Sequence, residues 1–157
     1  MTDMLVKLYN LPPIEAEIAA LEAQGIMLRR VIPAEKHFVT RWVGETFGAF
    51  WQSECEVSFA YTPPSCWIAV EQQQLIGFGC YDTTAKGFFG PTGVSEIARG
   101  RGVGRVLLLA CLYAMRYEGY GYAIIGGVGP IEFYQKVAGA TIIEDSTPGM
   151  YRGMLRQ

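Results

Sequence analysis

Histidine is almost missing from this chain: His37 is the only one in 157 residues, and the four cysteines, Cys55, Cys66, Cys80 and Cys111, include no C-x-x-C pair. A zinc site on the usual Cys/His spacings therefore lacks ligands, so no metal is expected. The thiols read as reduced, buried side chains of a cytoplasmic protein. Neither sign of charge dominates. The net charge is −2 and basic residues cluster only between Arg99 and Arg105, so a broad basic face for nucleic acid is excluded. Long apolar runs are lacking too. The longest, Val106 to Met115, is about half of the roughly 20 residues that a membrane span needs. Met1-Thr2-Asp3-Met4 places an acid where a secretory leader has its basic region. Neither membrane nor nucleic acid is expected as a partner, and there is no internal repeat or low-complexity tract.

What is present suits one packed domain. Half the residues are hydrophobic and 13% are aromatic, enough for a core at this length. The distinctive stretch runs from Val94 through Ser95-Glu96-Ile97-Ala98-Arg99-Gly100-Arg101-Gly102-Val103-Gly104-Arg105 into an apolar helix. Gly100, Gly102 and Gly104 let the backbone approach a bulky anion, because no Cβ stands in the way. The helix that follows points its free N–H groups and the positive end of its dipole at the same spot. Arg99, Arg101 and Arg105 add charge that can fork onto phosphate oxygens. The dinucleotide pattern G-x-G-x-x-G fails at Leu107, and the Gly-Lys-Ser/Thr of a nucleotide P-loop is absent.

Met4 to Tyr9 is short and mixed, and Asn10-Leu11-Pro12-Pro13 breaks it. Ile14 to Gln24 is a helix with Ile14, Ile18 and Leu21 on one face and Gly25 beyond its end. Ile26 to Ile32 suits a strand. Helices over Ala34 to Thr46 and Ala49 to Phe59 would turn Phe38, Trp42, Val43 and Thr46, then Phe50, Ser53, Val57 and Ala60, toward one side. Cys66 to Glu71 and Leu75 to Asp82 flank a hairpin turn at Gln72-Gln73-Gln74, and Lys86 to Val94 is the strand feeding the glycine loop. Gly102 to Glu118 is the central helix, followed by a strand at Tyr122 to Ile125, a short helix at Ile131 to Lys136, and strands at Gly139 to Glu144 and Gly149 to Leu155.

Arg99-x-x-Gly102-x-Gly104 after a strand matches [R/Q]-x-x-G-x-[G/A], the acetyl-coenzyme A loop of the GCN5-related N-acetyltransferase superfamily, which this chain resembles. A second pattern of that family, ending in Y-x-K-x-G-F, is approached by Phe133-Tyr134-Gln135-Lys136-Val137-Ala138-Gly139-Ala140 with one residue inserted before the glycine. Together the motifs cover roughly Leu75 to Ile143. The chain departs from the pattern where the family's Asn and Ala stand, at Gly127 and Pro130, and where its Pro stands, at Glu96. The missing Asn removes a pantetheine contact that backbone groups of Gly126, Gly127 and Gly129 are expected to replace.

The resemblance implies an α/β fold, a mixed and mostly antiparallel central sheet flanked by helices. Residues 1–25 would be a helical extension, packed on the domain or on a second copy in a homodimer, and residues 26–157 the acetyltransferase domain. It implies transfer of an acetyl group from acetyl-CoA to a primary amine on a small molecule or peptide, with a non-catalytic acyl-CoA sensor or interaction module as the alternative. The coenzyme site would be Val94, Arg99, Gly100, Arg101, Gly102, Val103, Gly104 and Arg105, and Tyr134 would protonate the departing thiolate or, alternatively, close the coenzyme groove. No base is legible among Glu96, Glu54, Glu56, Asp82 and His37. Trp42, Phe47, Phe50, Trp51 and Tyr61, with Glu45, Glu54 or Glu56, are expected to line the acceptor pocket.

Overall fold

Seven strands form one sheet in the computed structural model, which describes residues 1–156. In chain order the elements are β1 (Asp3–Lys7), α1 (Glu15–Ala23), β2 (Ile26–Arg30), α2 (Lys36–Phe47), α3 (Ala49–Val57), β3 (Cys66–Glu71), β4 (Gln74–Tyr81), β5 (Phe88–Val94), α4 (Val103–Tyr117), β6 (Tyr122–Ile125), α5 (Ile131–Ala138) and β7 (Thr141–Ile143). The strand order is β2-β3-β4-β5-β6-β1-β7, antiparallel throughout except where β5 meets β6. The mixed, mostly antiparallel α/β sheet expected from the sequence is the sheet observed.

Side chains that alternate along β3 and β4 supply two cores. Cys66, Ile68, Phe78 and Cys80 meet Val39, Val43 and Cys55 of α2 and α3. Ala69 and Ile76 turn the other way, toward Leu21 of α1 and Val103, Val106 and Leu107 of α4. The central helix is held by Leu107, Leu108, Leu109 and Leu112, none of which reaches solvent. At about 1.5–3 kcal/mol for each fully buried leucine, this helix anchors the sheet.

Three sequence expectations change, and one alternative is selected. Asp3–Lys7, read as part of an extension ahead of the domain, is a strand lying between β6 and β7, with Met4 and Val6 fully buried. Its five residues are too few to show a period. Gly149–Leu155, expected as the last strand, instead opens as a 3₁₀ turn at Gly149–Tyr151, and β1 occupies the place beside β6. Of the two alternatives for the α1 face of Ile14, Ile18 and Leu21, it takes the first and packs on its own domain. In α2 and α3 the large aromatics do not all point inward: Phe38 is 59% exposed, and the buried positions are Val39, Thr40, Val43 and Cys55. From the helices the core on that side accepts small or branched side chains around the buried Phe78 of β4, and leaves the helices' own rings, Trp42 and Phe47 among them, at its margins.

The hairpin turn falls where expected but tighter. Glu71 pairs with Gln74, so Gln72 and Gln73 alone make the turn, with φ of 50° and 62°.

Candidate active site

A cleft opens between β5 and β6 because their pairing stops early. Phe88 faces Ile124 and Phe89 faces Ile125, and no rung follows. The cause lies on the other side of β5. Between the rungs Gly79 to Thr92 and Tyr81 to Phe89, β5 carries an extra residue at Gly90-Pro91, a bulge that bends its second half away from β6. Gly90 to Val94 thus have no strand neighbour on the β6 side, and Pro91 among them carries no N–H.

The cleft measures about 1160 Å³. Its walls include Val94 and Gly104 at one end, Phe89, Phe133 and Tyr134 in the middle, and Phe50, Trp51, Glu54 and Thr84 on the side of α3. The segment carrying Thr147, Pro148, Tyr151 and Met154 borders it as well.

The glycine loop is shaped as its composition suggests. Gly100 and Gly102 have φ of 79° and 87°, the left-handed region that a Cβ disfavours, and Gly102 caps α4. A Cβ built on either would meet nothing within 4 Å, and one on Gly104 would meet only Val94 Cγ2 at 3.6 Å. Open space therefore lies over the first turn of α4, where its N–H groups are free. Val103 turns its side chain into the core, so its contribution to the cradle is backbone only.

The three arginines separate. Arg99 is exposed and donates from Nε to the Val94 carbonyl at 3.3 Å. Arg101 forks onto the Glu71 carboxylate, which holds the Glu71 carboxyl below the usual carboxylate range. Arg105 pairs with Glu17 of α1. Loop and helix are thereby pinned to β3 and α1 from two sides.

Tyr134 is 7% exposed, edge-on to Phe89 and Phe133 with ring centroids 6.4 and 5.1 Å away. Burial pushes its phenol up to about 12. Pro130 begins α5 just before it, and Tyr134 sits on the same helix face as the buried Val137 and Ala138.

The expected acceptor-side residues are divided. Phe50, Trp51 and Glu54 line the cleft, and Glu54 accepts a hydrogen bond from Thr84 Oγ1 at 2.6 Å. Trp42 and Glu45 belong to a separate depression bordered by β2. Phe47 is wedged over Gly93 of β5, where a Cβ would come within 2.5 Å of its ring. Tyr61 donates to the Asp82 carbonyl. Asp82 itself accepts the Gly87 N–H at 2.7 Å and the Tyr120 hydroxyl at 3.1 Å, the work of a turn-bracing carboxylate.

Two contributors were not legible in the sequence. The Gly127 N–H donates to Asp3 Oδ1 at 2.8 Å, and the Val128 N–H donates to the Thr2 carbonyl at 2.8 Å. The backbone beyond β6 is therefore held by the start of the chain, and the Gly127 N–H expected to face pantetheine already has a partner. Nothing in the sequence spacing links residues 124 apart.

The sequence model of the Acetyltransferase (GNAT) family matches residues 36–140. The chain belongs to that family. No curated protein sequence matches it. Among solved structures, this GNAT chain is similar to a GCN5-related glucosamine N-acetyltransferase region of a fungal multi-domain GH3 beta-N-acetylglucosaminidase, with TM-score 0.73 and 16% identity over 90% of this chain and 19% of that one. It is also similar to a GCN5-related N-acetyltransferase from Sphaerobacter thermophilus, with TM-score 0.65 and 22% identity over 90% of this chain and 48% of that one. A GNAT family acetyltransferase from Brucella melitensis in complex with acetyl-CoA gives TM-score 0.53 and 18% identity over 75% of this chain and 86% of that one. At these identities the likeness is one of fold, and the chain spans about half or less of the first two proteins. Among the described residues no helix is long and apolar enough to cross a membrane.

Proposed function

We propose that this GNAT domain transfers the acetyl group of acetyl-CoA directly to a primary amine. The observation that carries the reading is the continuity of the splayed cleft, from the open first turn of α4, past Tyr134, to Glu54 on α3.

The coenzyme fits the first part. A pyrophosphate over Gly100, Gly102 and Gly104 takes the space that side chains would fill, and the α4 N–H groups receive it. Arg99 is the arginine of the three that carries no carboxylate partner among the described residues, and it supplies charge there. Arg101 and Arg105, each neutralised by its carboxylate, hold the loop in shape. On the side turned from β4, the backbone of β5 beyond Phe89 has no strand partner and lies where N–H groups can donate to the carbonyl oxygen as it gains charge.

Tyr134 keeps its proton at neutral pH and donates it to the sulfur as the thioester bond breaks. Glu54, half-buried in the opposite wall, attracts the ammonium form of the acceptor and takes up its proton directly or through water. Phe50 and Trp51 beside it favour a small, partly apolar amine.

A panel of amines incubated with acetyl-CoA, with free thiol as the readout, tests this reading. Thiol release that depends on one class of amine is expected, with a raised acceptor KM in Trp51→Ala and Glu54→Gln. Calorimetric titration with acetyl-CoA, ATP and NAD should show binding of the first alone. Tight acetyl-CoA binding without turnover of any amine would favour the acyl-CoA sensor.

A further inference from the structure

Three of the four cysteines meet in the core beneath α3. The Sγ atoms of Cys55, Cys66 and Cys80 all lie within 4.8 Å of one another. Cys66 and Cys80 are cross-strand partners of β3 and β4, and Cys55 descends onto them from α3. None of the three is exposed, and none is in a disulfide. Cys111 stands apart, in the core on the α4 side of the sheet.

Three thiolates each about 2.3 Å from a common metal would stand about 4 Å apart in a planar arrangement, so the observed spacing needs little adjustment. Among the described residues no histidine or carboxylate joins the group, and its surroundings are Val31, Val39, Val43, Ile68 and Phe78. Zinc, which takes a fourth ligand or water in its protein sites, is poorly served by such a shell. A soft cation that accepts three sulfurs without a fourth ligand is suited to it, both in donor softness and in coordination number.

We propose that Cys55, Cys66 and Cys80 form a binding site for a soft, thiophilic cation of the copper(I) class. Each sulfur that ligates gives up its S–H proton to solvent as the metal–sulfur bond forms, with no change of oxidation state. The ligands sit on three separate elements already fixed by the fold, so the donors are gathered before the metal arrives. Entry requires α3 to lift. That helix is nine residues long, and Gly48, at φ 104°, separates it from α2. The site is independent of acetyl transfer, although α3 also carries Trp51 and Glu54 into the cleft.

The test is an anaerobic titration of the fully reduced, folded protein with copper(I), in competition with a chromophoric copper(I) chelator, followed by metal analysis after gel filtration. One retained equivalent is expected in the wild type and in Cys111→Ser, with proton release in weak buffer and a rise in melting temperature. Cys55→Ala should lose the equivalent and the thermal shift. Cys66→Ser and Cys80→Ser report the same loss should Cys55→Ala fold poorly. A folded wild type that retains no copper, or cluster variants that retain as much as the wild type, would overturn the proposal.

Discussion

The Asp3 carboxylate and the Gly127 N–H, 124 residues apart in the chain, are joined at 2.8 Å, so that the first strand holds the backbone forming one wall of the cleft. Asp3 is buried, and its own N–H donates to Ser146 Oγ at 2.8 Å. Where the family pattern has Asn, this chain has a glycine whose amide is satisfied from β1 instead.

Removing that acceptor leaves a part-buried N–H without a partner, which costs about 1–3 kcal/mol. Asp3→Ala is therefore expected to lower stability by an amount in that range and to weaken acetyl-CoA binding through the loosened wall. Denaturant unfolding and calorimetric titration measure the two effects. Unchanged stability would show that the bond contributes nothing net.

At the other end of the cleft, Gly104 leaves room for a Cβ but not for a ligand and a branched side chain together. Gly104→Val should keep its melting temperature close to the wild type and lose acetyl-CoA affinity, because the valine fills the space over the first turn of α4. Arg101→Ala, which releases Glu71, should weaken binding less than Arg99→Ala does. Full affinity in folded Gly104→Val would remove this loop from the coenzyme site.

Tyr134→Phe deletes one hydroxyl and leaves the ring packed on Phe89 and Phe133. If the phenol is the acid, kcat should fall by about 10²- to 10⁴-fold with little change in coenzyme Kd. Equal losses in both would make it a positioning residue.

The same phenol contributes to stability in alkali. Its folded value of about 12 lies above the ordinary 10.0, so between them the unfolded chain gives up its proton first. The contribution is complete below pH 10 and disappears as pH rises through 12. Wild-type stability should fall across that window, and Tyr134→Phe should fall less steeply, as urea midpoints at stepped pH would reveal.

The β3–β4 turn places glutamines at two left-handed positions, where each non-glycine residue costs roughly 1–2 kcal/mol. Replacing Gln72-Gln73 by Asn-Gly supplies residues that adopt this turn freely. The double variant should melt higher than the wild type, with acetyl-CoA affinity unaltered. A lower melting temperature would mean that the glutamine side chains make contacts outweighing the strain.

Local features were legible because short-range sterics and periodicity determine them. The glycines at 100 and 102 announce positive φ, the apolar run from Val106 to Met115 announces a covered helix, and Pro130 announces the start of α5. The alternating strands from Cys66 to Tyr81 specify a hairpin on their own. Long-range partnership was decided only in the tertiary structure. Five residues at Asp3–Lys7 contain no signal that they belong between β6 and β7, since strand pairing depends on what other edges are left open. The pairing of Arg101 with Glu71 and of Arg105 with Glu17, and the meeting of Cys55, Cys66 and Cys80, likewise depend on which elements the sheet brings together. Residue types set what chemistry each side chain can perform, and packing of distant segments selected which of them share a site.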